Sequence, residues 1–209
     1  MSKILIMKKY LFTVLVCSML SVVVFAQKYK GEDRVKGFQR SNLFTGGSVA
    51  LSLGTGYTSI GLNPYFGYSF TKWLDAAVSV NYNYLSQRDV VVVRDKVRQS
   101  IIGPGAFIRL FPVNFLFAQA QYERNFMSQK YIGAPGDYNV YTKQKFNANS
   151  LLVGLGYSNG KQEGKNSYYY FSLSFDVLKD KYSPYLDSYG RTVPVFRAGY
   201  NIGLFQKDK

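Results

Sequence analysis

From Trp73 to Ser86 the chain alternates with a period of two. Leu74, Ala76, Val78, Val80, Tyr82 and Tyr84 are apolar or aromatic, and Asp75, Ala77, Ser79, Asn81 and Asn83 lie between them. Successive side chains of a strand point to opposite faces, so this segment presents one greasy face and one small, polar face. The pattern recurs along the chain. Val49, Leu51 and Leu53 alternate with Ser48, Ala50, Ser52 and Gly54, and Ile60, Leu62, Phe66, Tyr68 and Phe70 with Ser59, Gly61, Asn63 and Ser69. Ile102, Ala106, Ile108 and Leu110 oppose Gln99, Gly103, Gly105 and Arg109; Leu116, Ala118, Ala120 and Tyr122 oppose Gln119, Gln121 and Glu123. Leu151, Val153, Leu155 and Tyr157 oppose Ser150, Gly154 and Gly156; Tyr169, Phe171, Leu173, Phe175 and Val177 oppose Ser172, Ser174 and Asp176. Phe196, Ala198, Tyr200, Ile202 and Leu204 oppose Arg197, Gly199, Asn201 and Gly203, which completes eight expected strands. Pro64 and Pro104 fall inside two of them, where proline removes a ladder donor.

The polar face decides which side is in. It is built from Ser, Gly, Asn, Gln and Ala, with few charges, which suits a crowded interior better than a surface in water. The other face carries Leu, Val, Ile, Phe and Tyr, with Tyr82, Tyr84, Tyr122, Tyr157 and Tyr200 towards strand ends, as in the aromatic girdles of membrane barrels. After the N-terminal segment no run reaches the roughly 18 apolar residues of a spanning helix. Only helices and closed barrels satisfy their backbone in lipid. The expected fold is therefore all-β, an eight-stranded antiparallel up-and-down transmembrane β-barrel. A soluble periplasmic lipocalin-like carrier shares the alternation and stays open as an alternative.

The N-terminus reads as an export signal. Lys3, Lys8 and Lys9 precede an apolar stretch from Leu11 to Val24, and Ala26 supplies the small residue before a cut. The expected organisation is a signal peptide over 1–26, a periplasmic segment over 27–45, the barrel over 46–205 and a C-terminal tail over 206–209. Removing three lysines lowers the net charge from +14 to 14 − 3 = +11. Cys17 goes with the signal, so no disulfide or thiolate metal site is expected. The connections at Thr71-Lys72 and Phe111 to Asn114 are short, and those over 86–96, 128–142 and 179–192 are long, matching short periplasmic turns and long outside loops. The short first connection near Thr55-Gly56-Tyr57 and the longer sixth, over 158–166, depart from that rule. Asn147 and Asn149 break the alternation where the sixth strand is expected to stand above the lipid.

The charges on the polar face are the candidate interior network: Asp75, Arg109, Glu123, Asp176 and Arg197. Asp75 and Arg109 fall near the inner ends of neighbouring strands, where they are expected to pair. Asp176 and Arg197 fall towards the outer ends of the last two strands. An eight-stranded interior is just wide enough for side chains to fill, and isolated charges there are costly, so these groups read as an ion-pair plug rather than a pore. The chain has no histidine. A Ser–His or Asp–His site cannot be built from it, and no enzyme activity or cofactor is expected. Gly54-Thr55-Gly56 is no phosphate loop, since no lysine or helix follows. The basic residues Lys28, Lys30, Arg34, Lys36 and Arg40 precede the first strand, and Arg88, Arg94, Lys96, Lys130, Lys143, Lys179, Lys181 and Arg191 lie in the outside loops. Anionic lipopolysaccharide would attract such residues; an exported barrel has little access to nucleic acid, and no nucleic-acid partner is expected.

The stretch Asn63-Pro64-Tyr65-Phe66-Gly67-Tyr68-Ser69-Phe70-Thr71-Lys72-Trp73-Leu74 resembles the "P-x-x-G-Y-F-x-T-x-x-L" hairpin of the outer-membrane β-barrel domain proteins common in Bacteroidetes, relatives of the OmpA-type barrel. Gly103 to Pro112 resembles their fourth strand, "G-x-F-x-R-Y-Y-F-P". The resemblance implies a barrel without the periplasmic OmpA domain, and no reaction. Arg197, Gly199, Ile202, Leu204 and Phe205 resemble the signal read by the barrel-assembly machinery, although four residues follow the aromatic. Together these readings imply a non-enzymatic outer-membrane protein, structural or engaged in surface recognition through its extracellular loops, with an unknown extracellular ligand. A small porin-like channel or lipid-handling barrel is the alternative.

Overall fold

A computed structural model describes residues 37–54, 56–90, 93–134, 143–161, 166–187 and 189–205. The expected signal peptide, the segment 27–36 and the tail 206–209 lie outside the described residues. The chain divides into two units, Met1–Phe38 and Gln39–Lys209. In the second, a 3-10 turn over Arg40–Asn42 leads into eight strands: β1 (Leu43–Gly54), β2 (Tyr57–Ser69), β3 (Leu74–Arg88), β4 (Lys96–Val113), β5 (Leu116–Ile132), β6 (Lys143–Ser158), β7 (Tyr168–Asp176) and β8 (Val195–Gly203). Each pairs antiparallel with the next, and β8 pairs back onto β1, from Phe44 opposite Gly203 to Ser52 opposite Val195. The sheet is thus a closed, up-and-down, eight-stranded barrel with no free edge.

Period two sorts the side chains. Val49, Leu62, Val78, Ile108, Tyr122, Leu155, Phe171 and Phe196, one from each strand, are exposed on the outside. Ser48, Asn63, Asn81, Arg109, Glu123, Ser150, Ser172 and Arg197 are buried inside. The extremes are Leu155 at 71% exposure and Glu123 at 0%. This inverts a water-soluble barrel, whose large apolar residues turn inward.

The wall is uneven. Strands β3 to β6 run 15 to 18 residues, whereas β7 and β8 have 9 each. At about 3.3 Å per residue, the long strands extend well past the short ones. We call the end holding Leu43 and Gly203 the lower end. The opposite, upper end holds the connections 89–95, 133–142 and 177–194.

Both prolines lie within strands. Pro64 faces Gly47 on β1, but the β2–β3 register skips it, resuming at Tyr65 opposite Ser79; Pro104 faces Val80 on β3 and is skipped on the β5 side. Each interrupts one ladder over two residues without shifting the register. The irregularity at the end of β4 comes later, between Leu110 and Val113, beside Pro112.

Inward glycines make room for rings. A Cβ at Gly156 would run into the ring of Phe117, whereas one at the outward Gly47 would meet nothing closer than 3.8 Å. Gly156→Ala is therefore expected to destabilise the barrel by about 1–3 kcal/mol, and Gly47→Ala by less than about 0.5. Urea titration read by folded and unfolded gel bands checks the contrast; equal effects would contradict the packing.

Candidate functional site

The centre of the interior is organised by β5. Gln119, Gln121, Glu123 and Asn125 stand at every second position, so their side chains line one inward column. They bond along it: Gln119 Nε2 donates to Gln121 Oε1 at 2.9 Å, and Gln121 Nε2 to Glu123 Oε1 at 2.8 Å. Arg197 reaches across from β8. Its Nη2 donates to Glu123 Oε1 at 2.9 Å and its Nη1 to Gln121 Oε1 at 2.5 Å. The second carboxylate oxygen of Glu123 accepts from Asn81 Nδ2 and from the Tyr185 hydroxyl, each at 2.6 Å. Glu123 therefore joins β3, β5, β8 and the 177–194 connection at a site closed to solvent.

Below this node, Arg109 is buried and donates Nε–H to Gln119 Oε1 at 2.7 Å. Its guanidinium carbon lies 4.1 Å from the ring centre of Tyr170, 4.5 Å from Phe107, and 5.2 Å from Tyr65 and Phe117. Negative ring faces around a cation supply part of the stabilisation that a carboxylate would otherwise give. Asp75 stands opposite Arg109 in the β3–β4 register, yet its ion pair is with Lys161 of the 159–167 connection, at 2.5 Å. The Tyr168 hydroxyl donates to its other oxygen at 3.4 Å. Burial lowers the pKa of the Lys161 ammonium, and Asp75 opposes that shift. Lys161 also lies over the ring of Phe111 at 4.7 Å, so the lower connection inserts a charged stopper among aromatics.

Above the node, the 177–194 connection folds into the mouth. Tyr185 is buried there, and Asn83 Nδ2 donates to its hydroxyl at 3.3 Å. Asp176 accepts from the Ser183 hydroxyl at 2.5 Å and from the backbone amides of Leu151 and Leu178. Phe146 stacks on Tyr182 at 4.9 Å, and Val193 packs with Leu85, Ile101 and Met127 on the inner face of the tall wall.

All five charged residues named from sequence face inward, but with partners the sequence did not indicate. Asp75 takes Lys161 rather than Arg109, whose Nε–H goes to Gln119 and whose guanidinium is held among rings. Asp176 takes Ser183 and backbone amides, while Arg197 takes Glu123. Lys161 and Tyr185 arrive from connections, where no periodicity announces a direction. Tyr65, Tyr168 and Tyr170 were legible in principle, since each has inward parity in its strand. Of the residues likened to an assembly signal, Arg197 is inward, Ile202 and Phe205 are exposed, and Leu204 donates its amide to Leu43.

No family model and no curated protein matches the sequence. Among solved structures, the chain is similar to the N-terminal β-barrel domain of Pseudomonas aeruginosa OprF, with 14% identity over 78% of this chain and 98% of that one, and a TM-score of 0.47. It is also similar to Ail, the attachment invasion locus protein of Yersinia pestis, with 14% identity over 77% and 96% and a TM-score of 0.45. Neisserial surface protein A gives 10% identity over 78% and 96%, with a TM-score of 0.40.

The Glu123–Arg197 pair yields a quantitative expectation. Arg197→Met leaves a buried carboxylate without its cation and is expected to cost about 3–5 kcal/mol, with Glu123→Gln costing a similar amount. The double variant should cost less than the sum by at least about 1 kcal/mol. Equilibrium unfolding of the four proteins measures the coupling, and strict additivity would mean that the two charges do not act as a pair.

Proposed function

We propose that this chain is a non-enzymatic outer-membrane β-barrel, a closed scaffold that presents its upper loops and rim for recognition at the cell surface. The observation that carries this reading is the inversion of the wall. Large apolar side chains from all eight strands face outward, while charges and amides are buried within. A contiguous apolar surface of that extent is unfavourable in water and suited to lipid. The signal-like N-terminus agrees with export. Outer-membrane lipid, including lipopolysaccharide, then surrounds the barrel, and the barrel-assembly machinery handles its last strand during insertion.

The interior argues for a scaffold in preference to a channel or a carrier. Glu123, Arg197, Gln121 and Tyr185 cross-link the middle and upper lumen, and Lys161 with the aromatic cluster fills the lower end. A carrier of apolar ligands needs an apolar cavity; this lumen is bonded through polar groups. For catalysis, the chain lacks histidine, and the buried carboxylates Asp75, Asp95, Glu123 and Asp176 are all engaged by hydrogen-bond donors.

Two measurements test the reading. The refolded full chain should float with phospholipid vesicles and show heat-modifiable gel migration; a protein that stays in the aqueous fraction while folded would favour the soluble carrier. In a planar bilayer the folded barrel should give no stable conductance steps, and reproducible steps would replace the scaffold with a channel.

A further inference from the structure

We propose that the outer face of the tall wall, at the upper ends of β3 to β6, binds the phosphate groups of anionic lipid headgroups in the leaflet around it. This inference rests on the membrane reading and adds a ligand class and a place. The first observation is one of parity. Arg88, Lys96, Arg98, Arg124, Lys130, Lys143 and Lys145 all occupy outward positions of these strands, and all are exposed. The acids within the strands, Asp75, Glu123 and Asp176, all face inward. A surface adapted only to water intersperses both signs; this face holds one.

The second observation is register. Arg88 stands directly opposite Lys96, Arg98 opposite Lys130, and Lys130 opposite Lys143. Like charges placed directly across a strand pair destabilise the sheet. The Arg88–Lys96 pair therefore carries a cost that an anion laid over it would offset, and Arg98, Lys130 and Lys143 line up in the row below it. Arginine adds planar, two-point recognition of phosphate to the point charge of lysine.

The third observation is the sequence of rows up the wall. Val78, Ala106, Tyr122 and Leu151 form one cross-strand row and are apolar or aromatic. Tyr82, Ile102, Phe126 and Asn147 form the next complete one, then Tyr84, Ser100, Ser128 and Lys145, then Ser86, Arg98, Lys130 and Lys143. Arg124 lies between the first two of these rows, its Nη1 donating to Asn149 Oδ1 at 2.9 Å; above it, aromatic, hydroxyl and cation follow one another in the order that a membrane presents interface and phosphates. Within its strands the short half of the barrel lacks this ending: its outward residues run through Leu51 and Leu53 on β1 and Leu173 and Phe175 on β7 without a cation, and Lys179, Lys181 and Arg191 follow only in the 177–194 connection. The one-sidedness assigns the site to the tall wall. Asp89, an exposed acid at the base of the β3–β4 turn, is itself engaged: its Oδ1 accepts from the backbone amide of Arg94.

The test uses the refolded full chain in mixed micelles of phosphatidylcholine and lipid A, with retained lipid counted by native mass spectrometry. Lipid A should be retained over phosphatidylcholine, and R98S/K143S/K145S should lower that preference by about tenfold or more. The charge-matched variant K179S/K181S/R191S, in the 177–194 connection, should keep it, and 0.5 M salt should weaken it in all three proteins, roughly as screening requires. Several outcomes would overturn the assignment: no preference in a barrel that floats with vesicles, equal loss in both triple variants, equal retention of dephosphorylated lipid A, or binding of a soluble sulfated polysaccharide without any lipid preference. Failure to float at all would instead remove the membrane reading beneath it.

Discussion

The backbone pairing of β8 with β1 is the constraint on which the rest depends. Closing a sheet after eight strands fixes a lumen that side chains alone can fill. Each large inward residue must then lean over a small one. The Phe44 ring occupies the space over Gly67, Phe117 that over Gly156, and Tyr170 that over Gly199. The aromatic cluster of Phe44, Tyr65, Phe107, Phe111, Phe117, Tyr168 and Tyr170 follows from this complementarity. So does the treatment of charge. With no wide aqueous space, a buried Arg or Glu requires a protein partner, and the interior supplies one to Asp75, Glu123 and Arg197.

The network is not a row of independent pairs. Arg109 touches Gln119, which touches Gln121, which is shared by Arg197 and leads to Glu123; Tyr185 closes the top. The Gln121 carbonyl accepts from two donors at once, so the amide column carries polarisation between two cations. Tyr185 belongs to a long upper connection and Lys161 to a lower one. Both ends of the barrel are thereby tied to its centre by side chains that no strand contributes.

Alternation made the strands and their inward faces legible, because period two is a property of neighbouring residues and needs no knowledge of the partner strand. Partners were less legible. Asp75 and Arg109 do lie opposite one another, yet opposite positions on a strand pair do not decide a hydrogen bond when a side chain from a connection reaches the carboxylate. Lys161 does so from a connection where sequence carries no directional signal. Tyr168 and Tyr170 flank the outward Tyr169, so the run of three tyrosines conceals an alternation that residue type cannot reveal. The extra height of β3 to β6 was hidden for a related reason: above the apolar band the outward face turns basic, and a polar residue on both faces looks like loop. Pro64 and Pro104, which weakened the reading, each interrupt only one of two flanking ladders.

Parity therefore links the interior to the exterior. Glu123 and Asn125 face in because Arg124 faces out, and Val97 and Gln99 face in because Arg98 faces out. A slip of one residue in β5 would turn Arg124 and Lys130 into the interior and send the Glu123 carboxylate to the outer face. Neither surface can be changed alone. The glycines and the Glu123–Arg197 pair that hold the register inside also place Arg98, Lys130 and Lys143 in one row outside. A barrel that needs a fixed charged rim gains it from a core that tolerates only one register, which gives the dense, costly interior a consequence beyond stability.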